Sequence, residues 1–411
     1  MNEPVIIQTK PETKTHWPSL GMLFLSGSGA LTAFTSSAGL AALGLISFAG
    51  NTSDAEEVQV LFSLATTFGL IFLLLIPSII LAAIRLLGKP LPDLNYPWFL
   101  RVSGIAFCLV PVFILVGFLI MRTPPAAAFI LPWFQLAVVA IPIWWVVELG
   151  RQGLPPLPSE RGWGLFSLTV TLAMPAIIII EMLLVAGIVA GIFVYIGITY
   201  PDISQQVLRT LERLGNSSSM DRETVLRILR PYLSQPGVIY SLLAITAGAV
   251  PLLEEFFKPL ALWFLAGKKL TPHEGFVGGM ICGAAFALLE SLGAMGNPGT
   301  DSWPIVAVGR IGTGILHISA SGMVGWGLAQ AWTEGRYLRL AAAYLLAVGF
   351  HAIWNMTALV AGLKELAQFS PVLIKQFEGF MLVSPGILVF LAGSMVIWVV
   401  RTNQELRTPQ Y

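Results

Sequence analysis

Charge is scarce in this chain. Asp, Glu, Lys and Arg together make up 11% of its 411 residues, while hydrophobic residues supply 56%. So few charges cannot solvate the surface of a soluble domain, and the bilayer must be the solvent for most of the chain. A net charge of +1, with no basic run and no aromatic residues interleaved among basic ones, sets nucleic acid aside as a partner. Cysteine is nearly absent: Cys108 and Cys282 both lie in apolar stretches and act as small hydrophobes, which excludes a disulfide framework or a thiolate metal site. The five aspartates, Asp54, Asp93, Asp202, Asp221 and Asp301, all fall in expected loops or at their edges, so no buried pair is left for an aspartyl intramembrane protease. A His-Glu-x-x-His segment is also missing, which excludes an ordinary zincin arrangement.

What the chain has in abundance is apolar runs of spanning length. A helix of about 20 apolar residues crosses the hydrocarbon because its backbone groups are satisfied within the segment. Ten helices are expected, beginning near residues 20, 58, 98, 127, 164, 238, 273, 304, 338 and 379, which makes the fold an all-α polytopic transmembrane bundle. The first is read as a retained helix and not as a signal peptide, since its apolar stretch is too long for one and no cleavage site follows. Lys and Arg in the short loops favour both termini inside, with Arg122, Lys364 and Lys375 left outside.

The organisation expected is an N-terminal transmembrane region over 1–200, an extramembrane loop over 201–236, a C-terminal transmembrane catalytic region over 237–400 and a tail over 401–411. The loop carries Arg209, Arg213, Arg222, Arg227 and Arg230 on the outer face, against the positive-inside trend. Its leucine-type spacing on either side of Gly215–Ser219 suggests two short amphipathic helices on the membrane, or a solvated helical linker. The sequons at Asn51 and Asn216 would have meaning only outside bacteria.

An ionisable side chain at the centre of a spanning helix costs about 2.5–3.5 kcal/mol on insertion scales, so each one needs a reason. The run Pro251–Pro259 puts Glu254, Glu255 and Lys258 into one apolar helix. Glu254 and Lys258 share a face four residues apart, while Glu255 points about 100° away. Adjacent carboxyls in a low dielectric cannot both ionise easily, which suits a base; a structural ion pair is the plainer reading. In the next helix Gly275, Gly279 and Gly283 form a small-residue face for close helix contact, and Glu290 lies seven residues beyond Gly283 on roughly that face. Glu290 should therefore point into the bundle, as an interhelical hydrogen bond if nothing more. The eighth helix carries Arg310 and His317 seven apart; the ninth carries His351 and Asn355 four apart. Glu181, in the fifth helix, is read as a structural acid or a polar group lining an entrance.

Two uses of this group are chemically sensible. Histidines and carboxylates can hold zinc with an open position for water, with Glu290, His317 and His351 as the expected ligands, leaving another glutamate to take the water's proton. Alternatively a glutamate activates water directly, and His and Asn stabilise the oxyanion. A serine route through Ser319–Gly322 and His351 matches a rhomboid dyad poorly, because Ser319 stands where glycine is expected. A proton-coupled transporter could use the same buried groups as a relay, but no internal repeat is visible. A scaffold binding a partner helix through its glycine faces is the third reading.

Taken together, Glu254-Glu255-x-x-Lys258, Phe286-Ala-Leu-Leu-Glu290, His317 and His351-x-x-x-Asn355, one motif per consecutive helix, resemble the PrsW family of intramembrane proteases, related to the CAAX-prenyl protease and bacteriocin-processing group. The resemblance covers about residues 238 to 360. It implies an active site of Glu254, Glu255, Glu290, His317 and His351 with Asn355 assisting, and a metallo- or glutamate-type hydrolase with zinc as the expected metal. It further implies a single-pass membrane substrate such as an anti-sigma factor, a signalling role, and a bacterial plasma-membrane location. Ser291 departs from the pattern, which would have a more polar amide or acid there.

Overall fold

The computed structural model describes residues 16–50, 55–92, 98–199, 240–241, 243–266, 270–296, 302–362 and 371–407, with the single positions 205 and 209. All five aspartates and nearly all of the 201–236 loop, with its expected amphipathic halves, lie outside the described residues. Among the described residues the regular structure is helical: α1 Trp17–Ala49, α2 Ala55–Leu86, α3 Phe99–Cys108, α4 Val110–Ile120, α5 Pro124–Arg151, α6 Ser159–Leu168, α7 Met174–Thr199, α8 Val250–Phe257, α9 Leu260–Trp263, α10 Pro272–Ala294, α11 Trp303–Glu334, α12 Tyr337–Gly362 and α13 Pro371–Arg407. Eight of these stretches are long and apolar enough to cross a membrane, α6 and α7 counting as one continuous span; α3 and α4, bent by 43°, make a ninth if taken together. This is the all-α polytopic bundle expected from the sequence.

The sixth expected helix, that beginning near residue 238, is the exception. It is already helical at Leu243 and Ala244, passes through a π-helical turn at Ile245–Ala249, runs as α8 for two turns, and breaks at Lys258-Pro259 before the single turn of α9. Proline has no N–H and its ring clashes with the preceding turn, so the helix stops where the sequence places it.

Two helices form the centre. In the spanning window of α10, 83% of residues are buried, and in that of α11 61%. They run antiparallel along the glycine face: a Cβ on Gly275 would meet the carbonyl of Gly325, one on Gly279 that of Ser321, and one on Gly283 that of His317. In lipid no hydrophobic force drives helices together, so such backbone approach supplies the packing. Thr271 and Glu274 close the start of α10 with a reciprocal capping box around Pro272, and Gly335, at φ +70°, ends α11 in the left-handed region glycine tolerates.

The N-terminal helices are bolted to this centre by polar groups that find backbone partners. Gln135 of α5 donates to Met295 O at 2.6 Å, Trp303 of α11 donates to Ile114 O at 2.8 Å, and Asn403 of α13 donates to Gly150 O at 2.6 Å and Gln152 O at 3.0 Å. Ser26 bonds both Ser78 and Ser167, joining α1, α2 and α6. The largest apolar core gathers α5, α10 and α11 around Phe276, Met280 and Trp303. By contrast, the later part of α7 exposes Met182, Leu183 and Ile198, as a lipid-facing helix should.

Candidate active site

The break after α8 leaves Glu254, Glu255 and Lys258 on the last turn of a two-turn helix, facing α10, α11 and α12. All three side chains are buried, Lys258 and Glu255 completely. Lys258 Nζ donates to Glu255 Oε1 at 2.7 Å and to His317 Nδ1 at 2.7 Å, and forms an ion pair with Glu254 Oε2 at 2.7 Å. Its ammonium also sits 4.4 Å from the centre of the Phe286 ring, an aromatic face of the kind that attracts cations. The sequence set Glu255 apart from the Glu254–Lys258 face, yet Lys258 reaches both, because residues three and four apart both adjoin it on a helix.

The two histidines are placed alike. His317 Nε2 lies 2.7 Å from Glu290 Oε2, and His351 Nδ1 lies 2.8 Å from Glu255 Oε1. In each case one ring nitrogen rests on a carboxylate, which fixes the tautomer and aims the other nitrogen inward. For His351 that nitrogen is Nε2, 3.8 Å from Glu254 Oε2; for His317 it is Nδ1, on Lys258. The rings stand 5.1 Å apart between centres, and Phe286 packs on His317 at 5.0 Å. Behind Glu290, Arg310 pairs with Oε2 at 2.7 Å and donates from Nε to Ser291 Oγ at 3.1 Å. Ser291, the departure from the family pattern, thus serves as an acceptor for Arg310.

Glu254, Glu255, His317 and His351 each offer one donor atom within 4.8 Å of the others. Two imidazoles and carboxylate oxygens are the donor types zinc takes, and Glu255 Oε2 is buried with no hydrogen-bond partner, so these residues fit a metal ion by chemistry and proximity. Glu290, expected beside the histidines, occupies the far side of His317, on Nε2. Asn355, expected to assist, donates from Nδ2 to Thr246 O at 2.9 Å within the π-helical turn that precedes α8.

Two further residues complete the picture. Glu181 of α7, read from the sequence as a structural acid or entrance group, interacts with the Glu254 carboxyl, and its Oε1 is buried without a hydrogen-bond partner. Sequence reasoning missed its place because it lies outside the motif-bearing helices, although an acid embedded in so apolar a helix was itself a signal. The hydroxyls of Ser319 and Ser321 are buried and make no hydrogen bond, and His351 rests on Glu255, so no serine–histidine dyad forms.

A family model described as PrsW family intramembrane metalloprotease matches residues 163–382, more than half of the chain. The chain belongs to the PrsW family of intramembrane metalloproteases. Neither the curated proteins nor the solved structures compared with the chain give a match. The matched stretch begins in α6, well before the motifs of α8, and so takes in Glu181. This PrsW family member is an integral membrane protein and an intramembrane peptidase, and the polar cluster of α8, α10, α11 and α12 lies wholly within the matched region.

Proposed function

We propose that the protein hydrolyses a peptide bond of a membrane-protein substrate at the Glu254–His317–His351 cluster. The observation that carries the proposal is the gathering of two carboxylate-held histidines with Glu254 and Glu255 into one buried set whose donor atoms lie within 4.8 Å of one another. If zinc is the group bound, His317 Nδ1, His351 Nε2 and Glu255 would hold it, and it would supply Lewis-acid polarisation of water and carbonyl.

The side chains divide the remaining work. Glu254 is the general base: it takes a proton from the attacking water onto a carboxylate oxygen and returns it to the leaving amine. Glu254 is preferred over Glu255 because Glu255 is completely buried and accepts from both Lys258 and His351, whereas Glu254 pairs with Lys258 at 2.7 Å, leaves His351 Nε2 at 3.8 Å and keeps slight exposure. Glu290 and Glu255 hold the imidazoles in orientation, and Asn355 holds the backbone leading into α8. Burial of the cluster excludes bulk water, which strengthens each of these interactions.

The substrate class that suits such a site is a single-pass membrane protein, of which an anti-sigma factor is one kind, with cleavage feeding a signalling response. We infer that both termini lie on the cytoplasmic side, as the Lys and Arg of the short loops favour, and that the membrane is a bacterial plasma membrane, as the family resemblance implies.

The test compares wild type with Glu254→Gln and His317→Ala, at matched abundance, by mass spectrometry of new termini in membrane proteins. Termini near spanning segments in the wild type, absent from both variants, support the reading. Identical terminus profiles in all three strains overturn it and turn attention to a proton relay, measured as pH-dependent flux in proteoliposomes.

A further inference from the structure

We propose that Lys258 and a metal ion are rival cations for one set of donors, so that metal binds only by displacing the Lys258 ammonium from His317 Nδ1. The inference rests on the reading of this cluster as a metal-binding set, and it can fail while that reading stands.

The decisive atom is His317 Nδ1. An ammonium has three N–H donors and no acceptor, so the 2.7 Å contact with Lys258 Nζ assigns the lone pair of the ring to Nδ1. The proton then lies on Nε2, where Glu290 accepts it. A neutral imidazole has one such lone pair, and it is the pair a metal needs. Carboxylate oxygens, with more lone pairs, could serve both cations; His317 cannot. Lys258 also engages Glu254 Oε2 and Glu255 Oε1 at 2.7 Å, so its ammonium contacts three of the four residues of the set. A zinc ion would have to draw its donors to about 2.0–2.2 Å, where the repulsion of a neighbouring ammonium is unscreened by water.

A displaced ammonium also has somewhere to go. Glu181 lies beside Glu254, within electrostatic reach of Lys258, and carries a buried oxygen with no hydrogen-bond partner. Lys258 ends the last turn of α8, one turn beyond Glu254, with its N–H on Glu254 O at 2.8 Å. Its long, flexible side chain can therefore turn from the histidine towards the Glu181 side while keeping Glu254 as a common partner.

The experiment titrates zinc into the detergent-solubilised full chain by calorimetry, comparing wild type, Lys258→Gln and Lys258→Gln with His317→Ala. The expected result is one zinc per chain, bound at least tenfold tighter by Lys258→Gln than by wild type, with that gain lost when His317 is removed. Because Lys258→Gln takes a cation away from buried carboxylates and can misfold, a second measurement uses wild type alone: amine-reactive labelling of Lys258, read by mass spectrometry, should rise on adding zinc. Equal zinc affinity in wild type and Lys258→Gln, or unchanged labelling while zinc is bound, overturns the rivalry and leaves the metal reading intact. No zinc bound by either protein overturns both.

Discussion

Glu290 Oε2 is shared: His317 Nε2 and an Arg310 guanidinium nitrogen each lie 2.7 Å from it. The arrangement makes Arg310 the anchor of a relay of position that ends at the inward nitrogen of His317. Partners that orient a histidine in this way typically contribute 10–100-fold to metal affinity or activity. Glu290→Gln is therefore expected to lower cleavage by about that factor at unchanged abundance. Arg310→Lys, which keeps a cation beside Glu290, should retain more activity than Arg310→Gln. Equal loss in the two Arg310 variants would show that charge on Glu290 is not what matters.

Gly283 and Gly293 lie on the same helix but in different surroundings. A Cβ at Gly283 would strike the carbonyl of His317, whereas one at Gly293 meets nothing within 4 Å. Overpacking of this kind costs about 1–3 kcal/mol. Gly283→Ala should lower the thermal midpoint in detergent and reduce cleavage, since the backbone it pushes on carries a site histidine. Gly293→Ala should be near neutral in both, and a comparable loss there would count against the contact as the cause.

Asn355 donates to Thr246 O. Replacing it with Ala removes that hydrogen bond to a half-buried carbonyl, at a cost of about 0.5–1.5 kcal/mol. Asp is expected to be worse than Ala although it is closer in shape, because it presents acceptor oxygens to a carbonyl oxygen. The order of thermal midpoints, wild type above Asn355→Ala above Asn355→Asp, checks this; Asp matching wild type would contradict it.

Metal removal separates the two hydrolytic routes. With a metal in the cluster, 1,10-phenanthroline should abolish cleavage and added zinc should restore it, while the non-chelating 1,7 isomer has no effect. Cleavage that persists through exhaustive chelation would assign the water activation to Glu254 alone.

The sequence exposed what local periodicity can carry. The four-residue glycine spacing foretold the backbone approach of α10 and α11, and the seven-residue step from Gly283 to Glu290 put that acid where it meets His317. The apolar pattern predicts one continuous sixth helix, whereas the structure breaks it at Lys258-Pro259. What stayed hidden depends on contacts distant in sequence. Gln135 reaching Met295 O joins residues 160 apart, and Glu181 meeting Glu254 joins helices on either side of the arginine-bearing loop. Periodicity orients a side chain within its own helix and says nothing about which helix stands opposite.

The interruption after Phe257 has one more implication. Backbone that leaves the helix at membrane depth is tolerated only where protein buries it or a water-filled recess solvates it. Lys258 and Pro259 are buried, yet the adjoining turns of α8 and α9 leave Phe256 and Phe264 partly exposed beside them. The discontinuity is therefore of the kind that protein seals, and the neighbouring helices, not lipid, must supply partners for the backbone groups it frees.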